Sequence, residues 1–242
     1  GGGWGVVWVE GVTGGNTTTV IVRSWGRPGR KRCGVVSDRG RVLVADDATG
    51  PFSEIGGMVA CVTEEGGCTP AQGRVPRAAG QASIRTGVPI STHTWAADGV
   101  GEQQVRILKQ EGVDMGKVYI GHSNDDTDLG YLTELLDKGV WLGLDRFPGG
   151  RRPGTPLWEE RTELAKRLID AGHSDRIMLS HDHSVPKARY GAAVQEERFK
   201  YNPDGYNFII RNVLPKLRNM GISDELINQI MVDNPRRFFE GL

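Results

Sequence analysis

From Met58 onward, short apolar and β-branched runs recur with helical segments between them, and this alternation constrains the chain more than any other feature. The runs are "GMVACVT" (57–63), "VPIST" (88–92), "KVYIG" (117–121), "GVWLGL" (139–144) and "RIMLS" (176–180). Of the helical segments between them, 128–138 is the clearest: Asp128 caps it, Leu129, Leu132, Leu135 and Leu136 share one face, and Gly139 supplies a left-handed stop. Another is expected in "LWEERTELAKRLIDAG", with Leu164, Leu168 and Ile169 on one stripe. In "GRVPRAAGQASIRTG", Pro76 and Gly80 interrupt a helical repeat, at about 3 and about 1 kcal/mol in a helix interior. Strand and helix in alternation mean parallel strands with right-handed crossovers, arranged either as a closed barrel or as an open doubly wound sheet.

Polar residues stand directly after four of the five runs. His93 comes after the second, His122 after the third, Asp145 and Arg146 after the fourth, and His181, Asp182 and His183 after the fifth. The spacings, 122−93 = 29, 145−122 = 23 and 182−145 = 37, are one βα unit each. In a parallel barrel the carboxyl ends of successive strands converge on one mouth. Two imidazoles and a carboxylate meeting there form a divalent-metal site, most simply zinc, with open positions for water. Such a metal would lower the pKa of its water to about 7 and polarise an acyl or phosphoryl oxygen. His181 and His183 flank Asp182 with the opposite side-chain direction, so Asp182 is the expected inward group. His173 comes after Gly172 at a helix end, where a cation suits the dipole.

The first 57 residues are different in kind. They hold 14 of the 35 glycines, and no leucine precedes Leu43, no histidine His93 and no tyrosine Tyr119. "GVVWVEGV", "TTTVIVRSW" and "GRVLVAD" have strand character, "GRPGRKRCG" reads as a solvated loop, and no amphipathic helix can be written here. The expected organisation is a single domain over 1–242, with 1–57 an atypical glycine-rich segment and 58–242 the βα units. An out-of-frame or rearranged coding segment over about the first 55 residues would explain this composition, and a divergent set of strands is the rival. Thirty basic residues balance thirty acidic ones, which gives nucleic acid no basic stripe to bind. No apolar run reaches the roughly 20 residues needed to cross a bilayer. Three cysteines without metal-site spacing suit a reducing compartment, so a cytoplasmic location is expected.

Taken in order, "TGVPISTHT", "IGHSNDDTDLGYL", "GLDRF", "MLSHD", "NPDG" and "VDNPRRFF" resemble the phosphotriesterase family, phosphotriesterase-like lactonases included, of the amidohydrolase superfamily. The resemblance covers about 58–242. It implies a TIM-type (β/α)8 barrel carrying two metals, bridged by a hydroxide and a carboxylated lysine, and hydrolysis of a small-molecule ester, a lactone or an organophosphate triester. By position, His93 and His122 resemble the fifth- and sixth-strand ligands of the more exposed metal. Asp182 resembles the eighth-strand aspartate, which binds the buried metal and takes the proton from the attacking hydroxide. Asp125 resembles the outer member of a proton relay, and Arg146 the arginine of the lactonase branch near the leaving group; the plainer role for Arg146 is an ion pair with Asp145. Trp95 would line the pocket or simply pack, and 187–202 would be the long eighth loop that shapes it.

Two departures stand out. The first-strand His-x-His pair of the family is absent, and Ala60 holds the position of the bridging lysine. Three further βα units would also need about 100 residues, at roughly 30 each, where 57 stand. The expected barrel is therefore incomplete or irregular in its N-terminal part, and His93, His122 and Asp182 remain for one divalent ion rather than a bridged pair. The alternatives are a catalytically impaired partial barrel, and a homodimer in which a second copy supplies strands.

Overall fold

The computed structural model of the chain describes residues 12–13, 18–24, 32–36, 42–45, 59–62, 68, 73–150, 154–182 and 192–240. His183, residues 187–191 of the expected eighth loop and most of 1–57 lie outside them. Four short strands, β1 (Val12–Thr13), β2 (Thr18–Ser24), β3 (Arg32–Val36) and β4 (Val42–Ala45), form an antiparallel sheet in sequential order. Residues 32–34, expected in a solvated loop, belong instead to β3, where Cys33 and Gly34 pair with Arg23 and Val22 of β2. Ladder pairing here overrides the polar, glycine-rich composition.

The regular part alternates as expected: β5 (Val59–Val62), α1 (Arg74–Thr86), β6 (Ile90–His93), α2 (Val100–Gln110), β7 (Val118–Ile120), α3 (Leu129–Asp137), β8 (Trp141–Leu144), α4 (Trp158–Asp170) and β9 (Ile177–Leu179). The five strands are all parallel and lie in the order β5-β6-β7-β8-β9. A doubly wound sheet reverses its strand order at a switch point. No reversal occurs in this sheet, and its order is that of consecutive staves of a TIM-type barrel.

Helix ends obey local chemistry. The Asp128 side chain accepts from the Gly130 N–H, and Gly139 turns left-handed at φ 91°. Pro76 does not break α1, because it is the third residue of the first turn, where backbone N–H groups lack intrahelical acceptors. Gly80 lets α1 approach α2: a Cβ there would lie 2.9 Å from the Val113 side chain and 3.4 Å from that of Leu108. The cost of a glycine in a helix is thus offset by close packing.

Alternation along the strands sorts the two faces of the sheet. Ile90, Val118, Ile120, Leu142, Leu144 and Ile177 face the helices and pack with Leu108, Leu132, Leu135, Leu164 and Leu168. Each such side chain contributes about 1.5–3 kcal/mol on burial. Tyr119, Trp141 and Met178 face the opposite way and meet Phe238. Phe238 belongs to the C-terminal helices, α5 (Ala192–Tyr201), α6 (Leu214–Asn219), α7 (Asp224–Asn228) and α8 (Asn234–Glu240). Asn234 donates to the carbonyls of Ser174 (2.7 Å) and Ile177 (2.8 Å), which ties α8 to the start of β9.

Two π-helical turns, Ile209–Val213 and Gln229–Asp233, precede Pro215 and Pro235. Each proline lacks a donor and pushes away the carbonyl four residues back, here that of Arg211 or Met231, so the helix widens at that point. On the inward face Gly143 makes room for Tyr119, whose ring would lie 2.4–2.6 Å from an added Cβ. Gly143→Ala is therefore expected to cost about 1–3 kcal/mol in a urea titration.

Candidate functional site

The polar residues after β6, β7, β8 and β9 gather at the carboxyl-end rim of the parallel sheet. His93 shares the inward face with Ser91, and its carbonyl accepts from Gln104 Nε2 of α2 at 2.8 Å. The turn after β7 is drawn against β6 at Gly121: its N–H donates to the Thr92 carbonyl at 3.0 Å, and its carbonyl accepts from Thr94 Oγ1 at 2.6 Å. A Cβ on Gly121 would sit 2.2 Å from the Thr92 carbonyl oxygen, so only glycine fits. His122 then adopts a left-handed backbone, φ 61°, unusual for a residue with a side chain.

Asp145 holds His122 in that conformation. Its Oδ1 accepts from the His122 backbone N–H and faces ring Nδ1, each at 2.8 Å, and its Oδ2 accepts from the Tyr119 hydroxyl at 3.0 Å. The Asp145 carboxylate and the His122 ring are almost entirely buried. Burial opposes the Asp145 charge, but His122 and the three donors outweigh it and keep its pKa below the ordinary carboxylate value. Burial, and then the Asp145 charge, push the Tyr119 phenol far up, which keeps it a donor. An Nδ1 held by a carboxylate directs Nε2 away from the support, the arrangement usual for a metal-binding imidazole. The His93 and His122 rings meet edge to face, centroids 4.4 Å apart.

Arg146 occupies the middle of the rim. Its Nη2 lies 3.2 Å from His93 Nε2, its Nε lies 3.3 Å from Asp182 Oδ2, and its Nη1 donates to Asp125 Oδ2. Its backbone N–H donates to Asn124 Oδ1 at 3.2 Å. The plainer expectation, a pair with Asp145, is not what forms, because Asp145 faces inward and is taken by His122 and Tyr119. Asp125 is held from its other side by Arg161 Nη2 at 2.8 Å. Arg161, 1% exposed, also donates to the carbonyls of Asn124 (2.5 Å) and Pro156 (2.9 Å). Gly149 makes space for it: a Cβ there would lie 2.1 Å from Arg161 Nε.

Five of the six expected site residues, His93, His122, Asp125, Arg146 and Asp182, thus come together in one cluster. The sixth, Trp95, is half-buried where the chain leaves β6, and its carbonyl accepts from the N–H groups of Asp98 and Val100. His181 turns elsewhere, its Nε2 accepting from the Ile209 N–H at 3.3 Å beside the Tyr206 ring. Where a proton relay was expected between Asp182 and Asp125, Arg146, a donor-only group, stands between the two carboxylates. Nor does the expected metal-binding set close: among the described residues, no group of three or more His, Cys, Asp and Glu could hold a metal ion. The donor types suit a divalent cation, but the Arg146 guanidinium stands against His93 Nε2 and one oxygen of Asp182, so the set as arranged does not fit one.

Sequence reasoning missed Arg161 and the supporting role of Asp145. Arg161 was detectable, because 161, 164 and 168 share one face of α4, and a cation on an apolar stripe requires an anion. Nothing local marked Asp145 as a support rather than a ligand.

The phosphotriesterase family model matches residues 46–239. A "phosphotriesterase homology protein" of Mycobacterium tuberculosis is 42% identical over 186 residues, which are 76% of this chain and 55% of that protein. An "aryldialkylphosphatase" of Saccharolobus solfataricus is 39% identical over 184 residues, 76% of this chain and 57% of that protein. The solved structure of the phosphotriesterase from Mycobacterium tuberculosis superposes with a TM-score of 0.71 at 39% identity, covering 80% of this chain and 57% of that one. The chain thus spans little more than half the length of these relatives.

Two outcomes test the supports. Arg161→Met strips three acceptors of a buried donor and is expected to cost about 3 kcal/mol or more by chemical denaturation; Arg161→Lys, without the planar fork, should restore little of it. The Asp145 carboxyl titrates lower in the folded chain than in the unfolded one, so its stabilisation is present above the ordinary carboxylate range and drains as pH falls through the folded value. Unfolding free energy should therefore fall faster in wild type than in Asp145→Asn between about pH 5 and about pH 2. Parallel losses in the two proteins would count against the pair.

Proposed function

The chain belongs to the phosphotriesterase family, and from that premise we propose that it is a hydrolase of small esters, lactones or phosphotriesters, acting at the rim of β6 to β9. The observation that carries this reading is the convergence of His93, His122, Arg146 and Asp182 from four successive strand ends onto one cluster. Asp182 is the proton acceptor, since its carboxylate is the more exposed of the two beside Arg146. Arg146 meets the oxygen that gains charge, and a planar donor suits a carbonyl or phosphoryl oxygen. Arg146 also supports the choice of a lactone as the first substrate to try. Asp125 and Arg161 position Arg146, and Asp145 with Tyr119 positions His122.

The family is generally metal-dependent, and a divalent ion, zinc first, is the cofactor proposed here, with His93, His122 and Asp182 as its donors once the guanidinium has moved. Because the described donors do not fit that ion, the roles above rest on the chain's own residues. A second reading is favoured by a specific observation: with Ala60 in β5 and no histidine before His93, the chain lacks the family's other metal donors. On that reading it is a catalytically impaired partial barrel.

Metal analysis of the purified chain, with lactone and aryl dialkyl phosphate assays with and without added zinc, tests both. The hydrolase reading expects zinc-dependent turnover, and a loss of about a hundredfold or more in kcat/KM for Asp182→Ala. Equal rates in the two proteins would remove Asp182 from its role. Folded protein giving only the blank rate at saturating zinc would establish the impaired barrel.

A further inference from the structure

The Arg146 side chain meets its three neighbours through three different nitrogens: Nη2 toward His93 Nε2, Nε toward Asp182 Oδ2, and Nη1 toward Asp125 Oδ2. Guanidinium has five donors and no acceptor, so its approach to His93 at 3.2 Å uses the lone pair of Nε2 and leaves the ring proton on Nδ1. That lone pair is the one a metal would need, and a lone pair serves one partner at a time. The Asp182 Oδ2 contact at 3.3 Å is an ion pair rather than a hydrogen bond, and it sets the guanidinium charge where a metal's charge would have to stand. The guanidinium is also anchored: the backbone of Arg146 is fixed on Asn124 Oδ1, and Asp125 is gripped from behind by the buried Arg161.

We propose that Arg146 is a resident cation of the rim, competing with a divalent metal ion for His93 Nε2 and the Asp182 carboxylate, so that the two cations exclude each other. The exclusion has two physical parts. The donor atoms are shared, and a divalent charge set beside an undisplaced guanidinium would be repelled at short range in a partly buried site. Metal binding therefore requires the side chain to swing off His93 and Asp182, and Asp125 with Arg161 biases it against doing so. The proposal draws the class of ion from the family reading, but hydrolysis is not its readout.

The test is titration of the purified full chain with cobalt(II), monitored by calorimetry and by the visible spectrum of the bound ion, for wild type, Arg146→Met and Arg146→Lys. Methionine removes the charge at similar length. Lysine keeps a charge for Asp125 and Asp182, which preserves folding, but a single ammonium cannot span all three neighbours. The expected order of cobalt affinity is Met, then Lys, then wild type, with Met at least tenfold tighter than wild type. The gain should vanish in Arg146→Met/His93→Ala, which separates the rim from a surface histidine such as His173. Equal affinities across the series, tightest binding by wild type, or no cobalt bound by either variant would each overturn the proposal. Tight cobalt binding by Arg146→Met, with wild type giving only the blank rate of ester hydrolysis at saturating zinc, would leave the proposal standing and sink the hydrolase reading. Zinc-dependent hydrolysis with variants that bind cobalt no tighter than wild type would do the reverse.

Discussion

The rim depends on one shared carboxylate. Asp125 sits between two guanidinium groups, one buried under α4 and one at the open mouth, and each oxygen serves one of them. Removing a charge from such an arrangement leaves its neighbours unmatched, which is why a buried arginine is tolerated at a core position of α4. Through this carboxylate the turn after β7, the first turns of α4 and the segment just beyond β8 are held as a unit. The remaining rim residues are oriented against that unit.

A second support is independent of the first. Asp145 and Tyr119 lie on the inward face, below the rim, and fix the His122 backbone and ring together. One support thus acts on charge at the surface of the site and the other on geometry beneath it. Both draw on β7, β8 and the segments that follow them.

Much of the parallel half could be read from the residues. All five apolar runs became strands, and the Asp128 cap and Gly139 stop fell where turn chemistry put them, because these signals are local and period-driven. The strand-end rule brought His93, His122, Arg146 and Asp182 together for the same reason: position at the end of a parallel strand is legible from a single chain. Partner choice is not. Whether Arg146 would turn to Asp145 or Asp125 depends on which carboxylate faces inward, and that is set by the pleat of β8 rather than by adjacency. Pro76 was misjudged through its place in the helix: a proline is a breaker in the middle and harmless in the first turn. In the glycine-rich segment, composition pointed to strands, but β3 begins inside the stretch read as loop, because pairing is decided by a neighbouring strand.

The wide turns ahead of Pro215 and Pro235 have a consequence for how this chain can vary. Each holds one residue more than the α-helical turn it replaces, and a residue added to or removed from a regular helix rotates everything beyond it by about 100°. Shortening the segment 229–233 by one residue would swing the Phe238 ring away from Tyr119 and Trp141, where it now lies 5.9 and 5.7 Å from them between centroids. Length in the last of these helices is therefore a phase setting, and a chain without the 229–233 bulge would need another way to close the floor beneath Tyr119 and Trp141.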